Sequence, residues 1–510
     1  MPSARPSRRM SAEDAWFLYF EKPEAPLHIG SVAIFEGDIP FERLRESVDA
    51  RMHLIPRYRQ RAVVPPFHAA HPTWEDDPRF SIDRHVRAFD LPAPGSDQQL
   101  LDLAGELFAE MLPRDRPLWD IAVIRGLAGG RTAYLSRVHH CLVDGVSGID
   151  LLLAVLDLTP DPAPPSPPAE PWQPRAISGP MEAWTDALLD RWEAGLRAWT
   201  DWQETLLDAR AQFRRLTELS HALEVAMPLA LRQPRPAPWN KPVSGKRRVA
   251  WTDVSFTDVR GIRSALGGTV NDVMLTLLGG ALGRYLESHG VKTEGATLRL
   301  QIPVNVRRED QKGALGNRVS MMLPEIPVGI ADPVRRLAAV REETGRLKAQ
   351  RQADAFESLI SLAEDIPAAY HALAGMGGVP RGALNLVCTN VPGPLIPLYS
   401  VGHRMLAHYP LVPLAGDLGI GVGITSFDKG LYVTIISDPE ILADVDVIAR
   451  LFADEFQRLR AAAGVVASDL RDVGVARPSN GRAPAGNGAK PARRKAATPA
   501  AQQAPVAPAV

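Results

Sequence analysis

The clearest hydrophobic pattern of the chain lies on either side of a short loop. Residues 132–140 (TAYLSRVHH) have the apolar and β-branched content of a buried strand. Beyond the loop, apolar residues recur at the spacing of one helix face, at Ile149, Leu152, Leu153 and Leu156. Ser147 followed by Asp150 is typical of a helix start. We therefore expect a strand, a tight turn and a helix in that order.

Two further segments predict regular elements in the second half of the chain. Residues 273–286 (VMLTLLGGALGRYL) form an apolar helical run, so Asn271 or Asp272 before it is expected to be the N-cap. Residues 245–256 (GKRRVAWTDVSF) have the pattern of a strand that enters a second domain. The longest apolar stretch is shorter than the roughly 18 to 20 residues that a bilayer-spanning helix needs.

Composition shifts divide the chain into four segments. A length of 510 residues with 45% hydrophobic content exceeds one ordinary core, which favours two domains of about 200 residues each. A proline-rich spacer and a long helical pattern separate them, and the last residues are almost entirely Ala, Pro, Gly and basic, which predicts disorder. We expect a mixed α+β protein with an N-terminal lobe at 1–158, a spacer and helical linker at 159–238, a C-terminal lobe at 239–478 and a tail at 479–510.

The helical linker carries a narrow aromatic stripe. A turn of 100° per residue from Trp184 places six large apolar residues within an arc of roughly 80°: Leu188, Trp192, Trp199, Trp202, Leu206 and Phe213. The opposite face is mostly acidic and would be repelled by anionic lipid. We expect the stripe to pack against the protein's own lobes, with direct membrane insertion as the alternative.

Charge and cysteine content narrow the class of protein. The formal net charge of -1 gives no global attraction for nucleic acid or for an acidic membrane. Cys141 and Cys388 are the two cysteines, which excludes a disulfide framework. No apolar stretch follows the arginines near the N-terminus, so we expect no signal peptide and a cytoplasmic location. Peripheral association with the inner membrane or with lipid inclusions remains open.

The predicted loop between strand and helix carries the candidate chemistry. Its sequence HHCLVDG contains His139, His140, Asp144 and Gly145. Loops between rigid elements usually carry reactive side chains, and a neutral imidazole can accept a proton near neutral pH. The pattern therefore predicts a histidine that acts as a base.

Three other interpretations compete with this one. The histidine pair could be a core feature, a pair of metal ligands or a coincidence. With 12 His and 40 Gly in 510 residues, the four positions would coincide on the order of once in a thousand chains. A metal site is disfavoured because adjacent residues of a strand point to opposite faces. By the same geometry, one histidine faces a substrate while the other and Asp144 support the loop.

The motif resembles the signature of the CoA-dependent acyltransferase superfamily. Other segments resemble the bacterial wax ester synthase/diacylglycerol acyltransferase family in particular, in order and at plausible spacing over residues 11–475. These segments are the opening block with His28-Ile29-Gly30, the PLW motif at Pro117, Leu118 and Trp119, the Asn-Asp step at Asn271 and Asp272, Gly316-Asn317, and TNVPGP at 389–394.

The resemblance implies a two-lobed chloramphenicol acetyltransferase-like fold and an activity. The activity is transfer of an acyl group from long-chain acyl-CoA to an alcohol. Diacylglycerol, giving triacylglycerol, is slightly preferred over a fatty alcohol, giving a wax ester. Acyl-CoA is then a co-substrate, and neither a cofactor nor a metal is expected.

The resemblance also implies roles for the motif residues. His140 is the candidate general base, and His139, Asp144 and Gly145 support its loop. Cys141 could be a nucleophile, but the superfamily leaves this position variable, so we interpret it as a small buried residue. No covalent acyl-enzyme is required.

The remaining candidate residues are expected to contact or shape the substrate site. Pro117, Leu118 and Trp119 would shape a channel, although Trp119 is also typical of a packed core aromatic. Asn271 and Asp272 could contact substrate, and Asn271 or a backbone N–H could donate to an oxyanion. Asn390 and the following PGP triplet could equally form a stiff turn.

Two other function classes stay open. One is a condensation-type acyltransferase with a carrier-bound donor, which the PLW and Asn-Asp motifs and the absence of an adjoining carrier-like domain disfavour. The other is a lipid-binding or droplet-coating protein with a degenerate site, which the intact HHCLVDG motif disfavours.

Overall fold

The computed structural model describes residues 9–142, 155–163, 231–305, 319–364, 366–377 and 381–468, with scattered residues between 165 and 228. Several predicted features lie outside this part of the chain. They are Asp144, Gly145, the predicted helix start at Ser147, Gly316-Asn317, Trp202 and the tail at 479–510.

The described residues form strands in both halves of the chain. In chain order they are β1 His28–Phe35, β2 Gln60–Val63, β3 Thr73–Asp76, β4 Val86–Asp90, β5 Trp119–Leu127, β6 Arg131–His139, β7 Arg248–Ser255, β8 Thr297–Asn305, β9 Val319–Met322, β10 Glu325–Pro327, β11 Leu386–Val391, β12 Tyr399–Ser400, β13 His403–Leu411, β14 Ile420–Phe427 and β15 Gly430–Ser437. The predicted strands at 132–140 and 245–256 are confirmed as β6 and β7, except that His140 begins a short 3-10 turn, His140–Leu142.

The longer helices complete a mixed α and β architecture, as expected. They are α1 Ala12–Phe20, α2 Phe41–Arg51, α3 Asp97–Ala109, α4 Phe256–Leu266, α5 Val270–Ser288, α6 Pro333–Ala349, α7 Gln352–Glu364, α8 Ala368–Met376 and α9 Val445–Ala462. The apolar run that predicted a helix after Asp272 is α5, and its central side chains are almost completely buried.

Two large sheets hold the two larger of three hydrophobic cores among the described residues. The first sheet has the strand order β12-β13-β1-β6-β5-β4, and the second has the order β10-β8-β11-β14-β15-β7, with β9 paired to β8. Helices α5 and α9 contact each other and pack in the second core. Strands β1 and β6, which carry the site, are the central strands of the first sheet.

Two strands from the second half of the sequence, β12 and β13, belong to the first sheet. Residues 239–478 were assigned to a C-terminal lobe, yet β12 and β13 from this range belong to the first sheet, where β13 pairs antiparallel with β1. Alternate residues of β13 explain the placement, because Met405, Ala407, Tyr409 and Leu411 are at most 1% exposed in the first core. The first core therefore includes strand residues that lie more than 350 positions beyond β1 in the sequence.

The linker stripe does not pack as expected. The exposed fractions are 69% for Trp192, 56% for Trp199 and 72% for Phe213, and none of the three hydrophobic cores includes these side chains. The expectation that the stripe is buried between the lobes is wrong for these residues, because the cores are completed by strands of the two sheets instead.

Within the described residues, no single helix is long and apolar enough to cross a bilayer. Helices α4 and α5 reach that length and apolar content only together, and they are bent by 98° at the break between them.

Candidate active site

The histidine pair lies where β6 ends, and two backbone hydrogen bonds fix it there. The N–H of His139 donates to the carbonyl of Leu118 at 2.9 Å, and that of His140 donates to the carbonyl of Leu27 at 3.0 Å. Leu118 belongs to the PLW motif and Leu27 precedes β1. The two neighbouring strands therefore hold the backbone of the pair from both sides.

His139 is completely buried and is held by side-chain contacts. Its Nδ1 accepts from the N–H of Cys141 at 3.2 Å, and its Nε2 lies 3.3 Å from a carboxylate oxygen of Glu21. The same carboxylate accepts from the N–H of Leu27 at 2.9 Å and from Arg114 at 2.7 Å. Glu21, at the C-cap of α1, thus connects to both histidines, to one directly and to the other through Leu27.

The electrostatics of Glu21 keep it ionised despite its burial. Burial alone would raise the pKa of Glu21, but the hydrogen bond and charge of His139, the charge of Arg114 and the N–H of Leu27 together lower the pKa to about 2. Its side chain is 1% exposed. A fixed negative charge therefore stands beside His139 over the whole physiological pH range.

His140 is in a different environment from its neighbour. Its ring stacks on that of Phe17 in α1, with centroids 3.9 Å apart and planes 8° from parallel. Burial, with a smaller contribution from His139, lowers the pKa of His140 to about 4 although the backbone of His140 itself acts in the other direction. Its buried Nδ1 has no hydrogen-bond partner within the part of the chain that the structure describes. His140 is therefore a neutral imidazole at physiological pH.

Cys141 is poorly suited to be a nucleophile. It is 2% exposed, and burial raises the pKa of its thiol well above the usual value. A thiol is nucleophilic mainly as the thiolate, which this environment disfavours. Its interpretation as a small buried residue is confirmed.

The PLW residues lie behind the histidine pair. Leu118 and Trp119 are each 1% exposed. The indole N–H of Trp119 donates to the carbonyl of Tyr58 at 2.8 Å, and its ring stacks on His85 with centroids 4.5 Å apart. Trp119 is thus a packed aromatic that supports the start of β5, while Leu118 accepts the hydrogen bond from His139.

Asn271 and Asp272 lie in the first turn of α5, and Thr269 is the N-cap in place of either. The side chain of Thr269 accepts from the N–H of Asp272 at 3.1 Å. In return, the Asp272 carboxylate accepts from the N–H and from the hydroxyl of Thr269, both at 2.8 Å, and the two residues form a capping box. The other carboxylate oxygen of Asp272 accepts from Thr344 at 2.8 Å. Asp272 is committed to the helix start and to α6.

Asn271 has a different partner. Its side-chain oxygen accepts from the amide of Asn390 at 3.1 Å, and Asn390 lies at the end of β11 in the TNVPGP segment. Both asparagines are half-buried. The structure thus brings together two of the motif segments that are more than 100 residues apart in the sequence.

Part of the first sheet near the site is incompletely covered. Ser31 of β1 and Ser136 of β6 are direct cross-strand partners in the two central strands, and both are only half-buried. Ser136 alternates with Arg137 and His139, so it lies on the opposite face of the sheet from these two. Since side chains of a central strand are normally covered, solvent reaches the sheet at this pair.

Three further buried polar residues lie on the face of the sheet that carries His139, and the sequence did not indicate two of them, Arg137 and Asp120. His28 is opposite His139 and its Nε2 is 3.0 Å from the carbonyl of Phe108, while burial lowers the pKa of His28 to about 3. Arg137 forms a buried two-point ion pair with Asp120, at 2.9 and 2.6 Å. Among the described residues, no three His, Cys, Asp or Glu side chains are grouped as metal ligands would be.

Comparisons with known proteins cover most of the chain. The family model described as the wax ester synthase/diacylglycerol acyltransferase catalytic domain matches residues 10–274, and the WS/DGAT C-terminal domain matches residues 315–460. A putative diacylglycerol O-acyltransferase of Mycobacterium bovis and a probable one of Mycobacterium tuberculosis are each 32% identical over 452 residues, 88% of this chain and 94% of the relative.

Solved structures share the fold at lower identity. A wax ester synthase/diacylglycerol acyltransferase from Marinobacter aquaeolei matches with a TM-score of 0.64 and 22% identity, over 90% of this chain and all of the other. The first condensation domain of the calcium-dependent antibiotic synthetase matches with a TM-score of 0.56 and 16% identity, over 93% of this chain and all of the other. These matches confirm the expected two-lobed fold class.

Proposed function

Because the chain belongs to the wax ester synthase/diacylglycerol acyltransferase family, we propose that it is an O-acyltransferase that transfers a long-chain acyl group from acyl-CoA to diacylglycerol. Fatty alcohols are proposed as further acceptors, which would give wax esters. Both acceptors are long, apolar and end in a hydroxyl group, so one base serves either of them.

The observation that carries the proposal is the state of His140. An alcohol is a poor nucleophile at neutral pH and needs a base within hydrogen-bond reach. His140 is neutral at physiological pH, and its backbone is anchored to Leu27. Its imidazole is therefore available as a proton acceptor without a metal or a covalent intermediate.

In the proposed reaction one proton moves from the acceptor hydroxyl to His140 and from His140 to the CoA sulfur. His140 takes the proton of the acceptor hydroxyl as its oxygen attacks the thioester carbonyl carbon, which forms the new C–O bond. The C–S bond then breaks, and the imidazolium returns the proton to the sulfur of CoA. General acid-base catalysis of this kind contributes roughly two to four powers of ten in rate. Asn271, with Asn390 beside it, is proposed as a donor to the oxyanion.

The other motif residues are proposed to support this step. His139 and Asp144 would hold the loop, and Gly145 would permit its turn. Pro117, Leu118 and Trp119 would position the strand behind the histidines. The enzyme is proposed to work in the cytoplasm, in peripheral contact with a membrane or with lipid inclusions.

One assay tests the proposal against its competitors. Purified protein is incubated with labelled palmitoyl-CoA and, separately, dioleoylglycerol, hexadecanol or a fatty amine, and the products are resolved. We expect triacylglycerol and a smaller amount of wax ester, with no dependence on a carrier protein. Amide products alone, or no product with any acceptor, would contradict the proposal.

A variant and a pH profile assign the base. We expect His140→Ala to lose most turnover while its melting temperature stays close to that of the wild type, because it removes no large core side chain. Since the pKa of His140 is about 4, the acid limb of kcat/KM should lie near pH 4 to 5 rather than near the ordinary histidine value of about 6.5. Near-normal turnover of the variant would reject His140 as the base.

A further inference from the structure

Helix α8 presents a face to solvent that has no charged residue. Its sequence AAYHALAGM contains none, and the exposed fractions are 65% for Tyr370, 64% for Leu373 and 76% for Met376. Ile366, two residues before the helix, is 44% exposed. The outward face of a surface helix normally carries charged and polar side chains, so an apolar one indicates a contact surface.

A neighbouring turn adds an aromatic ring to this face. The short turn Pro66–His68 contacts α8, and Phe67 in it is 90% exposed. Phe67 and His68 have φ values of 58° and 51°, a left-handed conformation that residues other than glycine adopt at a cost. The chain thus keeps a strained turn that holds a phenylalanine in solvent. Phe67, Ile366, Tyr370, Leu373 and Met376 are called the apolar surface below.

The apolar surface lies one helix away from the candidate base. Helix α8 packs against α1 so closely that a Cβ on Gly375 would collide with the backbone oxygen of Tyr19. Two residues earlier in α1, Phe17 stacks on the ring of His140. A substrate that enters from the apolar surface would therefore arrive beside the helix that covers the base.

Two cations lie at the edge of this surface, and the acidic pair Glu364 and Asp365 precedes Ile366 in the sequence. Lys22 donates to the carbonyl of Met376 at 3.0 Å, at the C-terminal end of α8. Arg9 donates to the carbonyl of His71 at 2.7 Å, and the ring of His71 lies 5.5 Å from that of His371 in α8. Apolar side chains with a tyrosine among them, and with cations at two edges, complement the headgroup region of a phospholipid bilayer.

We propose that the apolar surface docks the enzyme onto a phospholipid bilayer that contains the acceptor, next to helix α1, whose Phe17 stacks on His140. The inference rests on the proposed function, because the acceptor of that reaction is insoluble in water and must be taken from a lipid phase. Docking then places the lipid phase one helix away from His140.

The test compares two exposed apolar positions that differ in their surroundings. Leu373→Glu places a charge in the apolar surface, and Val466→Glu does the same at an 88% exposed residue beyond the end of α9. Phe67→Ser tests the same surface from a second segment, should Leu373→Glu lower the melting temperature. Binding is measured by flotation with phosphatidylcholine/phosphatidylglycerol vesicles that contain dioleoylglycerol, and turnover is measured on the same vesicles and on a water-soluble short-chain alcohol.

We expect Leu373→Glu and Phe67→Ser to weaken vesicle binding at least tenfold and to raise the apparent KM for dioleoylglycerol in vesicles, with turnover on the soluble alcohol unchanged. Val466→Glu should resemble the wild type in every assay. Wild-type binding by both surface variants would overturn the proposal. Equal binding to triacylglycerol droplets coated with neutral surfactant would replace the bilayer with a droplet, and loss of a dimer in the surface variants would replace it with a second copy of the chain.

The same data separate this inference from the proposed function. If the wild type binds vesicles through the apolar surface but transfers no acyl group, the surface stands and the proposed function fails. If the wild type acylates the soluble alcohol but does not float with vesicles, the function stands and the docking surface is rejected.

Discussion

Replacement of Glu21 tests how much the site depends on a residue that the sequence did not single out. Glu21 is buried and accepts from Leu27 and Arg114, with His139 at 3.3 Å. In Glu21→Gln the amide retains one oxygen, so it can still accept from one of these donors, while its NH₂ group faces the other. We therefore expect both a lost ion pair and a mispaired donor.

The magnitude follows from the burial of the groups involved. Removing one partner of a fully buried ion pair costs roughly 3 to 5 kcal/mol, but the side chain of Arg114 is 38% exposed and can turn to water. We therefore expect about 1 to 2 kcal/mol for Glu21→Gln, in the range of a mispaired buried hydrogen bond, and about 2 to 3 kcal/mol for Glu21→Ala. A measured loss of roughly 3 to 5 kcal/mol would mean that the Arg114 side chain does not turn to water in the variant.

The kinetic effect should be larger than the loss of stability suggests. Glu21 positions the backbone beside His140 through Leu27 and does not touch the reacting atoms. Since small displacements of a catalytic group can cost about a hundredfold in rate, we expect kcat to fall about tenfold to a hundredfold with little change in KM for acyl-CoA. The acid limb of the pH profile should stay in place, because His140 remains the base.

Chemical denaturation and steady-state kinetics measure the two effects. Glu24→Gln is the matched control, since Glu24 lies in the same loop and is exposed. A Glu21→Gln enzyme with wild-type stability and turnover would refute the positioning role. An enzyme that is destabilised but retains full kcat at a temperature where it is folded would restrict Glu21 to a structural role.

Two further predictions concern stability. Burial lowers the pKa of five histidines well below 6.5, so between the folded and unfolded pKa values the unfolded chain binds more protons, and stability falls as the pH drops through this window. At pH 5.5 each contributes a loss of about 1.4 kcal/mol, and less for the partly exposed His71, which denaturation at pH 7.5 and 5.5 would measure; equal stability at the two pH values would contradict it. These histidines are His28, His71, His85, His140 and His408. Replacing both Trp192 and Trp199 by Ala should change the melting temperature only slightly because both are mostly exposed, whereas a loss of several kcal/mol would show that they are buried in solution.

Local patterns in the sequence were sufficient for the elements around the site. The apolar content of residues 132–140 predicts β6 within one residue, and the run after Asp272 predicts α5. The N-cap was assigned to the wrong residue, although the signal was present: Thr269 followed three residues later by Asp272 has the spacing of a capping box, which local hydrogen bonds alone determine.

Contacts between distant segments could not be predicted in the same way. Glu21 meets His139 across 118 residues, and β13 joins β1 across more than 350. Nothing in the composition of either segment names its partner, since many strands of similar pattern could pair with β1. The prediction that the linker stripe is buried was wrong for a related reason, because periodicity identifies an apolar face but not what covers it.

The low pKa of His140 is itself a tertiary property, and it constrains the proposed reaction. The value of about 4 arises from burial, which includes the ring of Phe17 from another helix. So weak a base cannot deprotonate a free alcohol in advance, and proton transfer must therefore accompany C–O bond formation, which makes the hydroxyl far more acidic. The resulting imidazolium is a strong acid, whereas a thiol has a pKa of about 8.5. Returning the proton to the CoA sulfur is then strongly downhill, so an environment that weakens the base assists departure of the leaving group.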